Sequence, residues 1–502
     1  MWYGSIWNVH HRERGDMAAS DSVKFGTDGW RGLIADDFTY TNVARVGAAI
    51  AACLHDPRRR DLAPYREWGV PHRPGASGVI VGYDTRFLAA EFAHHLGRVI
   101  ARAGIPVRIT DAPVPTPALS LAVVEQGLAG GVMITASHNP PQWSGVKVKP
   151  EYGGSATPEI TALIESHLPP RPPEVGAQPL ETVAIKEAYL ARLREAVDMR
   201  ELARAPLYVV VDAMYGSAQG YLADLLRGVR IPHLAVRSTL DPLFGGKKPE
   251  PLPENVVPLK AVIRSLRGRA RGRLVAGLIT DGDGDRAAAM DEHGQFLDTH
   301  RTAALVLWHL IRHRKLDGMV LKSFALSDMI GKLADHAGVP WREIQVGFKW
   351  AVADLVMRRA AFAGEESGGY GYGWHIPERD GVLSNLLLLE LLAATGKSLA
   401  ALVEDLFALV GPHHYARRDL ELTTRLEVVE RLTQTPPERL AGQRVVRVET
   451  LDGLKLRLDR GWVLFRASGT EPILRLYCEM DAPDVVQHVL DAAERLAVGG
   501  LL

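Results

Sequence analysis

Most of the residues able to do chemistry sit in four short polar loops: TASHNP (135–140), DGDGDR (281–286), GEESGG (364–369) and RASGTEP (466–472). In DGDGDR the carboxylates of Asp281, Asp283 and Asp285 are separated by glycines, which lets a tight turn aim three hard oxygen donors at one point. Such a set suits Mg²⁺, Mn²⁺ or Ca²⁺ rather than zinc. An EF-hand is a poor fit, because Arg286 stands where the loop's sixth residue would be glycine. Ser137 offers a hydroxyl nucleophile beside His138 and Asn139, and it lies outside any G-x-S-x-G elbow, so acyl transfer has little support. Lys147 and Lys149 alternate with Val146 and Val148, which puts both ammonium groups on one face of a strand. There a lysine could balance the charge of a phosphorylated serine and shuttle a proton. Arg466, Ser468, the Gly469 amide and Thr470 have the composition of a phosphate pocket, a guanidinium fork with hydroxyls. Glu365 and Ser367, on a glycine-flanked loop, can accept from and donate to adjacent sugar hydroxyls. Each motif alone also reads as an ordinary polar turn. Their conjunction points to a phosphorylated polyol.

These loops need elements to hold them. Apolar runs at 131–134, 276–279 and 360–363 precede the first three, placing each loop beyond the carboxyl end of a buried strand, where open α/β sheets bind ligands. Between 78 and 148 the pattern alternates strand, GYDTR loop, helix (89–103), strand (107–109), helix and strand, a βαβ order. The proline-rich stretch 169–179 reads as a linker that ends the first domain near residue 172. A second unit starts with a strand at 207–211 and a helix at 220–227. A third starts near 300, with a strand at 318–322 and helices at 381–394 and 398–410. Strands at 445–450, 454–458 and 463–466 followed by a helix at 484–496 suggest a small α+β domain, placed to act as a hinged lid. The expected fold is therefore α/β, with three similar mixed domains (23–172, 173–298 and 299–410) and a C-terminal α+β domain (411–502) around a central cleft. No fixed repeat period links the three, so their kinship is architectural.

The chain has 502 residues, 47% of them apolar and 24% charged, with a formal net charge of zero. That is the composition of a soluble multidomain enzyme, with no charge excess to advertise nucleic acid or an anionic membrane. Two cysteines far apart argue against a disulfide framework and fit a reducing cytoplasm. The leucine-rich run at 386–394 is well short of the roughly 20 residues a membrane span needs, and reads as a buried helix. Residues 1–22 have no continuous apolar segment of secretory type and read as a flexible extension, with Met17 as an alternative start.

From FGTDGWRG (25–32) to the C-terminal helix, the ordered set of motifs resembles the α-D-phosphohexomutase family. The resemblance implies a four-domain enzyme in which Ser137 is the phosphoserine, and Asp281, Asp283 and Asp285 hold Mg²⁺ together with a phosphoserine oxygen of Ser137. It implies that Ser137 donates its phosphoryl group to a hexose monophosphate. The 1,6-bisphosphate intermediate then turns over within the cleft and returns its other phosphoryl group. By the same resemblance Arg31 and Lys147 serve proton transfer or phosphoryl stabilisation, with His138 ancillary. Arg286 touches the transferred group, Lys349 of VGFKW faces the substrate, Glu365 and Ser367 read the hydroxyls, and Arg466, Ser468, Gly469 and Thr470 grip the distal phosphate.

The departures bear on the sugar. Phosphoglucosamine mutases usually carry glutamine and a final histidine where GEESGG has Glu366 and Gly369, which disfavours an amino sugar. HIPERDG (375–381) resembles the HIREKDG stretch of phosphoglucomutases, with Arg379 at the substrate side in place of a lysine; arginine stays protonated and is a poor base. Ser144 replaces the asparagine common before GxK. The resemblance therefore implies interconversion of glucose 1-phosphate and glucose 6-phosphate, with Mg²⁺ and with glucose 1,6-bisphosphate as activator and intermediate. Alternatives are a dual-specificity phosphomannomutase and, further off, a phosphopentomutase or phosphoglucosamine mutase. A phosphatase using the same serine and metal is disfavoured, because domain closure excludes water. The expected partner is a hexose phosphate, with no nucleic acid or membrane, and the expected state is a cytoplasmic monomer or weak homo-oligomer.

Overall fold

Each of the four polar loops turns a β-hairpin. In the computed structural model, which describes residues 23–26, 28–266, 268–270, 272–469 and 472–499, the chain builds four sheets. The extension expected over 1–22 lies outside the described residues. In the first sheet Gly130–Ile134 runs parallel to Val79–Tyr83, and the chain then returns antiparallel as Trp143–Pro150, with TASHNP at the turn. In the second, Leu274–Thr280 lies parallel to Leu207–Asp212 and returns as Ala287–Met290 through DGDGDR. In the third, Ala360–Gly364 lies parallel to Met319–Ser323 and returns as Tyr370–Tyr372 through GEESGG. The same device thus recurs three times: a strand buried on both faces, followed by a polar turn and an antiparallel return. The apolar runs that precede the loops supply those strands, and every residue of Gly130–Ile134 and Ala360–Gly364 is buried. RASGTEP joins Gly461–Ala467 to Ile473–Met480, but in a wholly antiparallel sheet of six strands.

One more strand of the first sheet follows the proline-rich segment. Glu181–Val183, which follows it, pairs parallel with Val107–Thr110 as the edge strand of the first sheet. Proline bars pairing within the segment but not beyond it, so the chain recrosses the sheet after residue 172. In the last domain the sequence pattern missed His414–Glu421, Ile473–Met480 and the helix Arg425–Gln434. The strand His414–Glu421 is only partly covered and mostly polar, so it lacks the apolar alternation that reveals a half-buried strand.

The leucine-rich run forms the helix Gly381–Thr395, capped by the Asp380 side chain on the Leu383 amide (2.8 Å). Among the described residues no single helix is long and apolar enough to cross a membrane. Both cysteines are buried and free.

Packing divides the molecule unevenly. One core runs from the helix Thr116–Glu125 through Leu207, Val209 and Leu278 to the helices Thr299–His313 and Gly381–Thr395. Another joins the first sheet to Leu321, Ile344, Phe348 and Val352 of the third. The C-terminal domain has its own core, and a small cluster of Phe324 and Ala325 with Trp462, Leu464 and Tyr477 connects it to the third sheet. The first three domains are welded, and the fourth is docked.

Candidate active site

The cleft floor is made where the three welded hairpins meet. Ser137 is 1% exposed, and its Oγ donates to Asp281 Oδ2 at 3.0 Å. Close approach of the two loops depends on Gly282, since a Cβ there would lie 2.4 Å from the Ser137 carbonyl oxygen. Asp281, Asp283 and Asp285 are fully buried, with one carboxylate oxygen of each within 4.8 Å of the others. Asp281 Oδ1 accepts from the amides of Asp285 (3.1 Å) and Arg286 (3.2 Å), which curls the loop around its own first carboxylate.

Lys147 reaches into this group, with Nζ 2.8 Å from Asp283, 2.9 Å from Asp285 and 2.9 Å from Asp28. Lys149 shares its face of the strand: it pairs with Glu378 and lies 3.8 Å from Asp28. Arg379 crosses from the third domain, its Nη2 2.5 Å from Asp28 and 2.8 Å from Asp285, and its Nη1 3.3 Å from Glu365. Arg286 faces Asp281 and Asp285 at 3.7 and 3.9 Å. Arg31 donates from Nη1 to Asn139 Oδ1 (2.7 Å), bracing the serine loop from the opposite side. His138 Nδ1 lies 3.4 Å from Ser137 Oγ.

The electrostatics follow from burial and charge count. Burial, with Asp285 and Asp283 close by, raises Asp281 well above the usual carboxylate range, against Arg286 and Lys147. Burial also opposes ionisation of Asp283, yet Lys147 and the Thr116 hydroxyl (2.6 Å) overcome it and hold that carboxyl low. Lys147 is held protonated by Asp28, Asp283 and Asp285 despite its burial. Burial first, and then Arg286 and Arg31, push the His138 imidazole well below its usual value, so it stays neutral. Glu365 is pushed up to about 7 by burial, which Arg379 only partly offsets.

The trio fits a hard cation. Asp283 Oδ1 and Asp285 Oδ1 are buried with no hydrogen-bond partner among the described residues, a costly state for carboxylate oxygens unless an ion or water takes them up. The donors are all oxygen, as Mg²⁺ requires.

The remaining expected residues line the cleft farther out. Lys349 is half-buried near Asp28, Asp452 and Arg466, and burial lowers it. Arg466 donates from Nε to Asp452 Oδ2 (3.0 Å), which also accepts the Val346 amide (2.9 Å) and so ties the RASGTEP loop to the third domain. Ser468 is buried, with its amide on the Ile473 carbonyl (2.9 Å), and Gly469 is exposed at the loop tip. Thr470 lies outside the described residues. Ser367 is half-buried on its turn beside Glu365. Backbone bonds link the loops across domains: Ala287 N to Gly368 O (2.8 Å), Gly381 N to Gly284 O (3.1 Å) and Thr116 N to Asp283 O (2.9 Å).

Family profiles match the chain in four consecutive segments. Those for phosphoglucomutase/phosphomannomutase alpha/beta/alpha domains I, II and III match residues 22–170, 187–294 and 298–410, and that for the C-terminal domain matches 423–496. The chain belongs to the phosphoglucomutase/phosphomannomutase family. Family members are isomerase-class phosphotransferases, and so is this one. A "phosphoglucomutase/phosphomannomutase" of Thermococcus kodakarensis is 28% identical over 482 residues, covering 94% of this chain and 98% of that protein. A "probable phosphoglucosamine mutase" of Methanothermobacter thermautotrophicus is 29% identical over 474 residues, covering 93% and 95%. The crystal structure of a "putative phosphomannomutase" from Thermus thermophilus is 36% identical, with a TM-score of 0.81 over 95% of this chain and 99% of that one.

Sequence reasoning missed several members of this phosphohexomutase site. Asp28, inside the quoted FGTDGWRG, bridges Lys147 and Arg379, and a carboxylate between two glycine turns was signal enough to be singled out. Thr116 and Glu378 act through partners more than 160 and 220 residues away in sequence, which no local spacing reveals.

Proposed function

We propose that this enzyme interconverts the 1- and 6-phosphates of a hexose through a phosphorylated Ser137, with glucose phosphate as the leading substrate and mannose phosphate accepted by the same site. The observation that carries the reading is the 3.0 Å contact of Ser137 Oγ with Asp281 inside a fully buried carboxylate trio. A hydroxyl held against a cation cage is arranged for phosphoryl transfer.

Asp281, Asp283 and Asp285, with Ser137, would hold Mg²⁺. When bound, the ion neutralises charge on the transferring phosphoryl group. The residues around it do the rest. In the first half-reaction the P–O bond to Ser137 Oγ breaks as a bond forms to the free hydroxyl of the hexose monophosphate. The hydroxyl proton ends on Ser137 Oγ. His138, neutral and 3.4 Å from Oγ, adjoins that proton path, while Lys147, held charged, stabilises phosphoryl oxygens. Arg286 and Arg31 add positive charge at either side of the serine. Arg379 remains a cation bridging Asp285, Asp28 and Glu365, a role for a fixed charge and not for a base. Glu365 and Ser367 read the sugar hydroxyls, and Lys349 with Arg466, Ser468, Gly469 and Thr470 grips the phosphate that is not reacting. After the bisphosphate reverses, its other phosphoryl group returns to Ser137 by the same step.

The deciding experiment is isomerisation of glucose 1-phosphate with Mg²⁺ and a trace of glucose 1,6-bisphosphate, by the native protein and Ser137→Ala. Turnover that collapses in the variant supports the reading, and steady phosphate release without isomerisation replaces it with a phosphatase. A second reading, an amino-sugar substrate, is favoured by the similarity to the Methanothermobacter protein named as a probable phosphoglucosamine mutase. Faster turnover of glucosamine 1-phosphate than of glucose 1-phosphate would establish it.

A further inference from the structure

Ser137 adopts a backbone conformation that a non-glycine residue rarely takes, with φ at +51°. Within TASHNP the Thr135 hydroxyl takes the Ser137 amide, but the loop does not hold the turn by itself. The support comes from another loop, Asp84–Thr85–Arg86, which follows the strand Val79–Tyr83. The Arg86 side chain is fully buried and turns both terminal nitrogens of its guanidinium on the serine loop. Its Nη2 donates to the carbonyls of Ser137 (2.7 Å) and Asn139 (2.7 Å), and its Nη1 to those of Pro140 (2.8 Å) and Trp143 (2.9 Å). Its Nε is 3.1 Å from Asp84 Oδ2. The same Asp84 oxygen accepts the Thr135 hydroxyl (2.6 Å), whose oxygen in turn accepts the Ser137 amide (2.8 Å). Both sides of the Ser137 peptide are therefore bound, directly or through one hydroxyl, to a single loop.

That loop also grips the domain carrying the metal cage. Thr85 Oγ1 donates to the Tyr215 carbonyl (2.8 Å), and the Arg86 guanidinium lies over the Phe244 ring at 5.0 Å. Two residues past Tyr215, the Ser217 amide holds the Gly282 carbonyl of DGDGDR (2.9 Å). A short path of direct bonds thus runs from the nucleophile's backbone to the aspartate turn without passing through the substrate.

We propose that Asp84, Thr85 and Arg86 are positioning residues for phosphoryl transfer: they fix the strained backbone of Ser137 and register it against the aspartate turn across the domain boundary. The proposal rests on the reading of Ser137 as nucleophile. Lysine cannot replace Arg86, because one ammonium with three donors cannot span four diverging carbonyls. Misplacement of a nucleophile by about 1 Å costs on the order of a hundredfold in rate, while substrate affinity set elsewhere in the cleft is untouched.

The test uses the full-length protein and two variants, Arg86→Lys and Thr85→Val, with steady-state kinetics and amide hydrogen exchange read together. Arg86→Lys should lower kcat by about tenfold to a hundredfold, leave KM for the hexose phosphate within about twofold, and speed exchange in the segment 134–143 by about tenfold. Exchange in the neighbouring strands Val79–Tyr83 and Val107–Thr110 should stay as in the native protein. Thr85→Val, which keeps Arg86 and cuts only the tie to Tyr215, should lower kcat by a few-fold with KM unchanged. Native kcat and native exchange in Arg86→Lys would overturn the proposal, as would a loss of kcat matched by faster exchange throughout the domain. If Arg86→Lys does not fold, Thr85→Val decides by the same split. Absence of mutase activity in the native protein would sink the functional reading, whereas the exchange measurement would still report whether Arg86 holds the loop.

Discussion

The floor of the cleft and the loop proposed as its phosphate clamp are built on opposite plans. At the floor, three domains share continuous cores and bring Ser137, three aspartates, Lys147 and Arg379 into contact with almost no exposure. At the clamp, Arg466 and Gly469 sit at a more open edge of a domain with a separate core, joined to the rest by a small apolar cluster and a network of charged side chains. The floor is rigid because moving any member would strip buried charges of their partners. The clamp domain shares little apolar surface with the rest, so its docking rests mainly on polar contacts. On the proposed mechanism, chemistry that proceeds identically in two substrate orientations calls for the first, and a substrate that reverses within the cleft calls for the second. Variants at the floor should therefore change kcat, and variants at the clamp should change KM.

The largest effect is expected at the floor. Asp283→Ala removes one aspartate of the trio and the partner of both Lys147 and Thr116. It should lower kcat by about a thousandfold or more, as should chelation of the native enzyme, with the chelated enzyme recovering on added Mg²⁺. A loss in KM alone would break the contrast between the two regions. Next comes the clamp. Arg466→Ala deletes the guanidinium proposed to grip the distal phosphate, a charged hydrogen bond of about 1.5–3 kcal/mol, so KM should rise roughly tenfold to a hundredfold while kcat falls much less. An unchanged KM would mean that the distal phosphate sits elsewhere.

A smaller effect sharpens how the two regions are joined. Asp452 Oδ2 accepts both Arg466 Nε and the Val346 amide, so it couples clamp geometry to domain docking. Asp452→Asn should raise KM a few-fold and increase the radius of gyration in scattering without lowering kcat. A variant with native scattering and native KM would show that the docking rests on the Phe324–Trp462 contact and the charges around it. Those charges are considerable: Lys322, Lys455 and Arg457 surround Glu343 and Asp328 between the two domains.

The sequence disclosed the floor better than the clamp, and the reason is physical. An apolar run followed by a polar turn is how a doubly buried strand delivers a loop, so TASHNP, DGDGDR and GEESGG could be placed on strand ends from the chain alone. The alternation of Lys147 and Lys149 likewise put both ammonium groups on the face that meets Asp28. What stayed hidden acts over distance. Glu378 pairs with Lys149, and Arg86 holds the Ser137 turn, through contacts that only tertiary packing creates. The C-terminal domain was half-read because the strand His414–Glu421 is polar on a sheet edge, and the edge strand Glu181–Val183 was lost behind prolines that looked like a linker.

Glu365 gives the finest test, because it lies between the two regions and titrates where enzymes are assayed. Burial raises it to about 7, and Arg379 at 3.3 Å does not fully compensate. The native fold thus holds a proton on this carboxyl that the unfolded chain releases near 4.5. Because the folded state binds the extra proton, this residue's contribution to stability falls as pH rises from about 4.5 to 7 and is level above that. Glu365→Gln should remove that slope, and the difference in melting temperature between pH 5 and pH 8 should shrink. For catalysis the sign is reversed. A sugar hydroxyl donates best to the ionised carboxylate, so KM of the native enzyme should rise a few-fold as pH drops from 8 to 6, while kcat, set by the buried floor, changes less. In Glu365→Gln the KM should be raised at every pH and flat across that range. A native KM that is already flat between pH 6 and 8 would place the sugar's hydroxyls on Ser367 and Lys349 instead, and would move hydroxyl reading from the welded floor to the edge of the clamp.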